Sequence, residues 1–288
     1  MRQIILKAYA KINLGLDVLR KREDGYHDVR MIMQSVGLYD KLTLKKIPKD
    51  EIVLSSNIGS LPNNEKNLVY KAISLIKKEC GVTGGVKADL EKNIPMAAGM
   101  AGGSTDAAAA LIGMNKLFEL GLSQERLMEL GVKIGADVPY CIMGGTALSE
   151  GIGEVLTPLL PMPHCYILIA KPRISVSTRF VYENLEADKL PYHPDIDGMI
   201  EAIKADNLNG VADRLSNVLE TVTARKYPII GQIKEAMIET GALNSLMSGS
   251  GPTVFGIYAD KNTAMNALEK IQAIEMVKNA YVTEPYQP

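Results

Sequence analysis

Residues 93–111, NIPMAAGMAGGSTDAAAAL, hold the residue types and spacing that most directly suggest chemistry. Gly99, Gly102 and Gly103 free the backbone to bend and to approach a ligand closely. Ser104, Thr105 and Asp106 follow, each a residue type that caps helices. The alanine run Ala107, Ala108, Ala109 and Ala110 then leads into Leu111, Ile112, Met114 and Leu117, a helical sequence. A glycine-rich bend feeding a helix start aims N–H groups and the positive end of the helix dipole at one place, which makes a phosphate cradle. The same spacing also fits a tight helix entry of small residues packed on a sheet. It is not a Walker loop, because no lysine stands where that motif needs one, and not a dinucleotide fingerprint, because only two residues separate Gly99 from Gly102.

Two charged residues are candidates to act beside such a cradle. Residues 11–18 alternate, with Ile12, Leu14, Leu16 and Val18 on one face and Lys11, Asn13, Gly15 and Asp17 on the other. This predicts a strand with one face in the core, so Lys11 and Asn13 point the same way and either serve one site or meet solvent. Asp137 lies in Gly135-Ala136-Asp137-Val138-Pro139, either a reacting carboxylate or a turn aspartate bonding its own backbone. Phosphoryl transfer needs a cradle for the transferred group, a positive charge near it and an acceptor for the hydroxyl proton. The bend, Lys11 and Asp137 are of the types that supply these.

The elements that must position these residues divide as follows. Residues 20–28 form a polar turn with Gly25, and Tyr26 and His27 sit at its exit, either as ligands or as a core-edge tyrosine and a solvated histidine. Residues 30–36 and 41–47 read as two strands and residues 48–64 as turn. Residues 67–80 read as a helix with Leu68, Ala72, Leu75 and Ile76 at helical spacing and Gly81 at its end. A short strand, 86–90, precedes the glycine-rich stretch. Ser123 caps a helix bearing Leu127, Leu130 and Ile134, which Gly135 to Pro139 breaks. Residues 146–149 and 154–157 form a hairpin, and Pro158, Pro161 and Pro163 mark a domain boundary near residue 160. Beyond it come a buried strand at 166–170, a helix started by Ser175 or Ser177 that carries Phe180, Val181 and Tyr182, and helices at 195–205 and 228–240. The glycine-serine bend Leu246-Met247-Ser248-Gly249-Ser250-Gly251, a strand at 253–258, a helix capped by Asp260 and a strand at 277–282 end the chain. Strands and helices mix without a strict βαβ rhythm, giving an α+β fold.

With 288 residues the chain can build a large core in two domains, 1–160 and 161–288. A formal net charge of −1 gives no bulk electrostatic case for nucleic acid or an anionic membrane. The three cysteines lack metal-like spacing and the histidines are scattered, so no metal centre is expected, and free thiols fit a reducing cytoplasm. The first residues show no signal-peptide pattern.

Three stretches together resemble the GHMP kinase superfamily of small-molecule kinases: the first strand with Lys11, the bend PMAAGMAGGST, and MSGSGP at 247–252. AKINLGL at 10–16, DGYHDV at 24–29, NEKNLVYKA at 64–72 and GADVPY at 135–140 narrow the match to members whose alcohol substrate carries a cytidine diphosphate. The resemblance runs nearly end to end and in order. It implies a two-domain GHMP-kinase-like fold with ATP and substrate in the cleft between the domains. ATP, with Mg2+, would phosphorylate the 2-hydroxyl of a methylerythritol moiety, a step toward isoprenoid precursors.

By that resemblance Asp137 is the catalytic base and Lys11 its partner. The bend of Pro95, Met96, Ala97, Ala98, Gly99, Met100, Ala101, Gly102, Gly103, Ser104 and Thr105 holds the nucleotide, aided by Asn67. Asn13, Tyr26 and His27 contact the substrate, and Tyr182, with Phe180 in reserve, stacks on cytosine opposite Tyr26. Ala97 and Ala98 depart from the family, where glycine is frequent. Ser104 or Thr105 could lend magnesium a hydroxyl. The alternatives are another kinase of the superfamily, acting on homoserine, mevalonate or a sugar, and a nucleotide-binding protein without catalysis. The protein is expected to be cytoplasmic, monomeric or homodimeric, without membrane or nucleic-acid partners.

Overall fold

The structure, a computed structural model, describes residues 2–288, which form two compact units. One comprises the chain up to Ala10, Leu38–Met96 and Ala101–Met143; the other Lys11–Gly37, Ala97–Met100 and Gly144–Pro288. Two long strands, β1 (Gln3–Lys21) and β2 (His27–Ile47), run through both. The separate strands expected at 30–36 and 41–47 are therefore one.

In the first unit the strand order is β3 (Ile52–Ser56), β4 (Gly85–Glu91), β2, β1. β4 pairs antiparallel with β2 and parallel with β3, a strand that lies inside the stretch read as turn. Three of its five residues are Ile, Val and Leu, but flanking asparagines and prolines hid the short run. Gly85 is required where β4 begins: a Cβ there would collide with the Lys49 carbonyl oxygen and stand 2.7 Å from that of Glu51.

Helices α1 (Leu68–Cys80), α2 (Gly102–Phe118), α3 (Gln124–Val132) and α4 (Val138–Met143) share one apolar core with these strands. α1 starts where Asn67 caps it by accepting from Val69 N, and stops where Gly81 turns left-handed at φ 63°. The alanine run in α2 is buried because small side chains let α1 and the sheet approach closely. α3 ends at Val132, so Ile134, expected on it, lies past its end; α4 begins at Val138 with Pro139 in the first turn, where its missing N–H costs nothing.

In the second unit, residues 29–34 of β2 pair with β5 (Thr146–Gly151), which pairs with β6 (Val155–Pro158) as the expected hairpin. A second sheet runs β11 (Val277–Thr283), β7 (Tyr166–Pro172), β10 (Val254–Tyr258), β9 (Asn244–Met247), all antiparallel. Helices α5 (Thr178–Glu183), α6 (Ile196–Lys204), α7 (Leu208–Asp213), α8 (Glu220–Lys226), α9 (Ile229–Glu239) and α10 (Lys261–Gln272) complete it. Ser177, Asp195, Asn207 and Asp260 each cap a helix with their side chains. The two-residue strand β8 (Ser216–Asn217) lies parallel to β1 at Gly15 and Leu16. Among the described residues no helix is long and apolar enough to cross a membrane.

The approach at Gly85 yields a test. Gly85→Ala should cost about 1–3 kcal/mol, the usual range for forcing extra atoms into a packed site, and urea denaturation would read the loss.

Candidate active site

The glycine-rich loop joins β4 to α2. Its φ is positive at Ala97 (48°), Gly99 (71°) and Ala101 (56°), and at neither residue between them. Each left-handed alanine costs about 1–2 kcal/mol, so the surroundings must impose this path. In the second unit, Lys11 N donates to Met100 O at 3.2 Å and Ser248 Oγ donates to Gly99 O at 3.0 Å. Gly99 lies so close to the bend after β9 that a Cβ would collide with the Ser248 carbonyl oxygen and come within 3.2 Å of Gly251 N. That bend is itself held from within. Asn217 Nδ2 donates to the carbonyls of Met247 and Gly249 at 2.8 Å each, and Thr223 Oγ1 donates to Ser250 O at 3.2 Å.

In the first unit, α2 begins at Gly102, two residues before the first cap candidate. Ala101 is the N-cap and makes no side-chain hydrogen bond. None of Ser104, Thr105 and Asp106 caps the helix; all three lie in its opening turns. Thr105 is buried and donates its hydroxyl to Tyr9 O at 2.7 Å. The first N–H groups of α2 are thus left to an external acceptor, and the helix dipole makes an anion the favoured one.

The alternating face of β1 is not the outer face the pattern suggested. Lys11, Asn13 and Asp17 are only 5%, 0% and 5% exposed, so the strand is covered on both sides. Lys11 Nζ donates to Asn13 Oδ1 at 2.7 Å, Asn13 Nδ2 to Met31 Sδ at 3.2 Å, and Asp17 takes His193 Nδ1 at 3.0 Å. Within its unit no carboxylate pairs with Lys11. A cation buried without a counter-charge is costly.

Asp137 stands in the turn just before α4, where its carbonyl accepts from Cys141 N at 3.1 Å. It is half-buried, and within its unit its carboxylate takes neither hydrogen bond nor ion pair. The self-bonding turn aspartate is therefore not what forms. Asn67 is occupied as the α1 cap and donates Nδ2 to Pro62 O at 2.8 Å. Pro95 is half-buried and Met96 is 48% exposed.

The aromatic candidates lie in the second unit. Tyr26 is 60% exposed, its N–H bonded to Asp24 Oδ1 at 3.0 Å. His27 is 7% exposed, and its ring centroid lies 5.1 Å from that of Tyr182. Burial, helped by the Lys21 charge, lowers the His27 pKa, and its Nε2 has no protein partner. A neutral imidazole next to a tyrosine suits an uncharged ring better than a phosphate. Phe180 carries the Lys226 ammonium 3.6 Å above its ring.

Sequence reasoning missed one group. Lys92, just past β4, donates to Asp106 Oδ2 at 2.6 Å, to Asp40 Oδ2, and to Gly102 O at 3.3 Å. Asp40 Oδ1 also accepts from Asn93 N at 2.5 Å and Ile94 N at 2.8 Å. All three side chains are buried. Burial pushes the Asp106 carboxyl up to about 8, with the Lys92 charge opposing and Asp40 reinforcing the rise. The sequence signal was a charged residue at each edge of an otherwise apolar or small-residue run, which also reads as solvated turn.

Against this geometry stand the comparisons with known proteins. Residues 67–145 match the model of the GHMP kinases N terminal domain and residues 199–276 that of the GHMP kinases C terminal. The chain belongs to the GHMP kinase family. It is similar to 4-diphosphocytidyl-2-C-methyl-D-erythritol kinase of Lachnospira eligens, 58% identical over 288 residues and covering 100% of both chains. The enzyme of the same name from Lachnoclostridium phytofermentans is 54% identical, over 99% of this chain and 98% of its own. Among solved structures, a 4-(cytidine 5'-diphospho)-2C-methyl-D-erythritol kinase superposes with a TM-score of 0.85 at 30% identity, over 99% of this chain and 100% of that one.

The Asp106 shift fixes a pH dependence. Its folded pKa is raised, so its contribution to stability is full below the unfolded value near 4 and is lost as pH rises toward 8. Asp106→Asn should remove that slope, so the stability difference between variant and parent shifts in the variant's favour from pH 5 to pH 9. Denaturant titrations at both pH values measure it.

Proposed function

We propose that the chain transfers the γ-phosphoryl group of ATP to the 2-hydroxyl of 4-diphosphocytidyl-2-C-methyl-D-erythritol, a step in non-mevalonate synthesis of isoprenoid precursors. The observation that carries this reading is the full-length likeness to kinases of that name. The loop supports the ATP half independently: its N–H groups at the start of α2 are free of side-chain caps and suited to phosphate. The enzyme is a small-molecule phosphotransferase with an alcohol acceptor.

Lys11, buried without a counter-charge in its unit, neutralises charge on the transferred group and on the alkoxide as the proton leaves. Asn13 holds the lysine ammonium through its Oδ1. Asp137 accepts the hydroxyl proton, late in transfer, once bonding to phosphorus has acidified the hydroxyl. Its carboxylate has no hydrogen bond in its own unit to give up first. Magnesium bound with ATP would supply positive charge against the phosphates. Ser104 fits as its hydroxyl ligand, because no protein group claims that side chain, whereas Thr105 spends its proton on Tyr9 O.

Cytosine is held by Tyr26, His27 and Tyr182. His27 and Tyr182 already form one ring pair, and the exposed Tyr26 closes on the base. Asn67 acts on the nucleotide indirectly, by fixing the start of α1. The two family matches fall on either side of the proline cluster, which supports domains 1–160 and 161–288 as the inherited division, distinct from the packing units. The protein acts in the cytoplasm as monomer or homodimer.

An assay coupled to ADP release, run with this alcohol and with mevalonate, homoserine and sugars, tests the substrate; preferential turnover of any of the others refutes it. Asp137→Ala and Lys11→Ala should each bind ATP within a few-fold of the parent while kcat falls by about 100-fold or more, the lower end of a general base's usual contribution. A binding protein without catalysis would give no turnover to lose.

Gly103 provides a separate test of the loop. It is exposed, and a Cβ there meets only Leu68 Cδ1 at 3.3 Å. Gly103→Asp should stabilise α2, by about 0.5–1 kcal/mol from the lost glycine entropy and more from the dipole. It should also raise the KM for ATP at least tenfold, by placing a carboxylate where phosphate belongs. A stabilised enzyme with unchanged KM would remove the phosphate role from this loop.

A further inference from the structure

We propose that Lys92, with Asp40 and Asp106, is a positioning cluster that holds the two stems of the glycine-rich loop together and so sets the ATP affinity of its cradle. The inference rests on the phosphate-binding reading of that loop and adds residues outside it. The loop leaves the sheet at residues 92–94 and enters α2 at Gly102. Asp40, on β2, grips the first stem through Asn93 N and Ile94 N. Lys92 belongs to that stem and reaches the second through Gly102 O and Asp106 Oδ2. One ammonium thus bridges both ends of a loop whose path includes two left-handed alanines. Without the bridge, the stems would be free to separate and relax that path.

The bridge is shielded from solvent: Lys92 Nζ pairs with Asp40 Oδ2 and, at 2.6 Å, with Asp106 Oδ2, and all three side chains are buried.

Steady-state kinetics on the intact enzyme test this. Asp106→Ala removes one arm of the bridge, leaves the Lys92–Asp40 pair balanced and suits the alanine run around it. Its KM for ATP should rise at least fivefold at pH 7, with the KM for the alcohol within twofold and kcat within threefold. A cluster that only stabilised the fold would lower the thermal midpoint and the active fraction but leave both KM values alone. Asp106→Asn keeps an acceptor for Lys92 and should recover most of that loss at pH 7. Lys92→Gln, which cannot reach Asp40, Asp106 and Gly102 O together, should raise the KM for ATP at least fivefold as well. An unchanged KM for ATP in Asp106→Ala overturns the proposal, and an unchanged KM in Lys92→Gln does so alone if the alanine variant does not fold. Gly103→Asp run beside them separates the two claims. If its KM is unchanged the loop reading has failed; if its KM rises while the Asp106 variants behave as the parent, only the cluster has.

Discussion

The structure depends on a main chain held in a path it would not take alone. Between β4 and α2 the backbone turns left-handed at three alternate positions, two of them alanines, and enters a helix with no side-chain cap. Both features cost free energy in an isolated peptide. Both are also what a phosphate site requires, because N–H groups that cap nothing remain available to an anion. The cost of keeping them available is met by contacts on the flanks of the loop.

These contacts are mostly buried and polar. Ser248 Oγ holds Gly99 O, Lys11 N holds Met100 O, and Asn217 holds the bend against which Gly99 rests. Asp40 and Lys92 hold the stems. A buried polar side chain is tolerated when its hydrogen bonds are made, and here they are made to backbone carbonyls and amides that fix the loop. Lys11 and Asp137 differ: each carries charge that its own unit leaves without a counter-charge. The roles proposed for Lys11 and Asp137 draw on this incomplete satisfaction.

Much of this was legible in the chain. Alternation in residues 11–18 gave the strand, Gly81 gave the end of α1, and Ser123 and Asp260 stood at the helix starts expected of them, as did Ser177, one of two candidates. Local rules work there because a cap bonds to residues two or three positions away. They failed where partners are distant in sequence. Ser104, Thr105 and Asp106 are good caps by type, yet Thr105 bonds to Tyr9 and Asp106 to Lys92, so the helix starts earlier and none of them caps it. The polar face of β1 is buried because layers from remote parts of the chain cover it, which alternation alone does not reveal.

Sequence by itself determined the family and the reaction class and pointed to the stretch proposed to meet phosphate, because those follow from residue types at short fixed spacings. Tertiary structure decided which polar groups hold and which are held in reserve. It drew Lys92, Asp40 and Asp106 into one buried cluster from positions 52 and 14 residues apart. It also left Lys11 and Asp137 without counter-charges in their own units. The reason is physical: burial sets the worth of a charge, and burial depends on segments that pack together from anywhere along the chain.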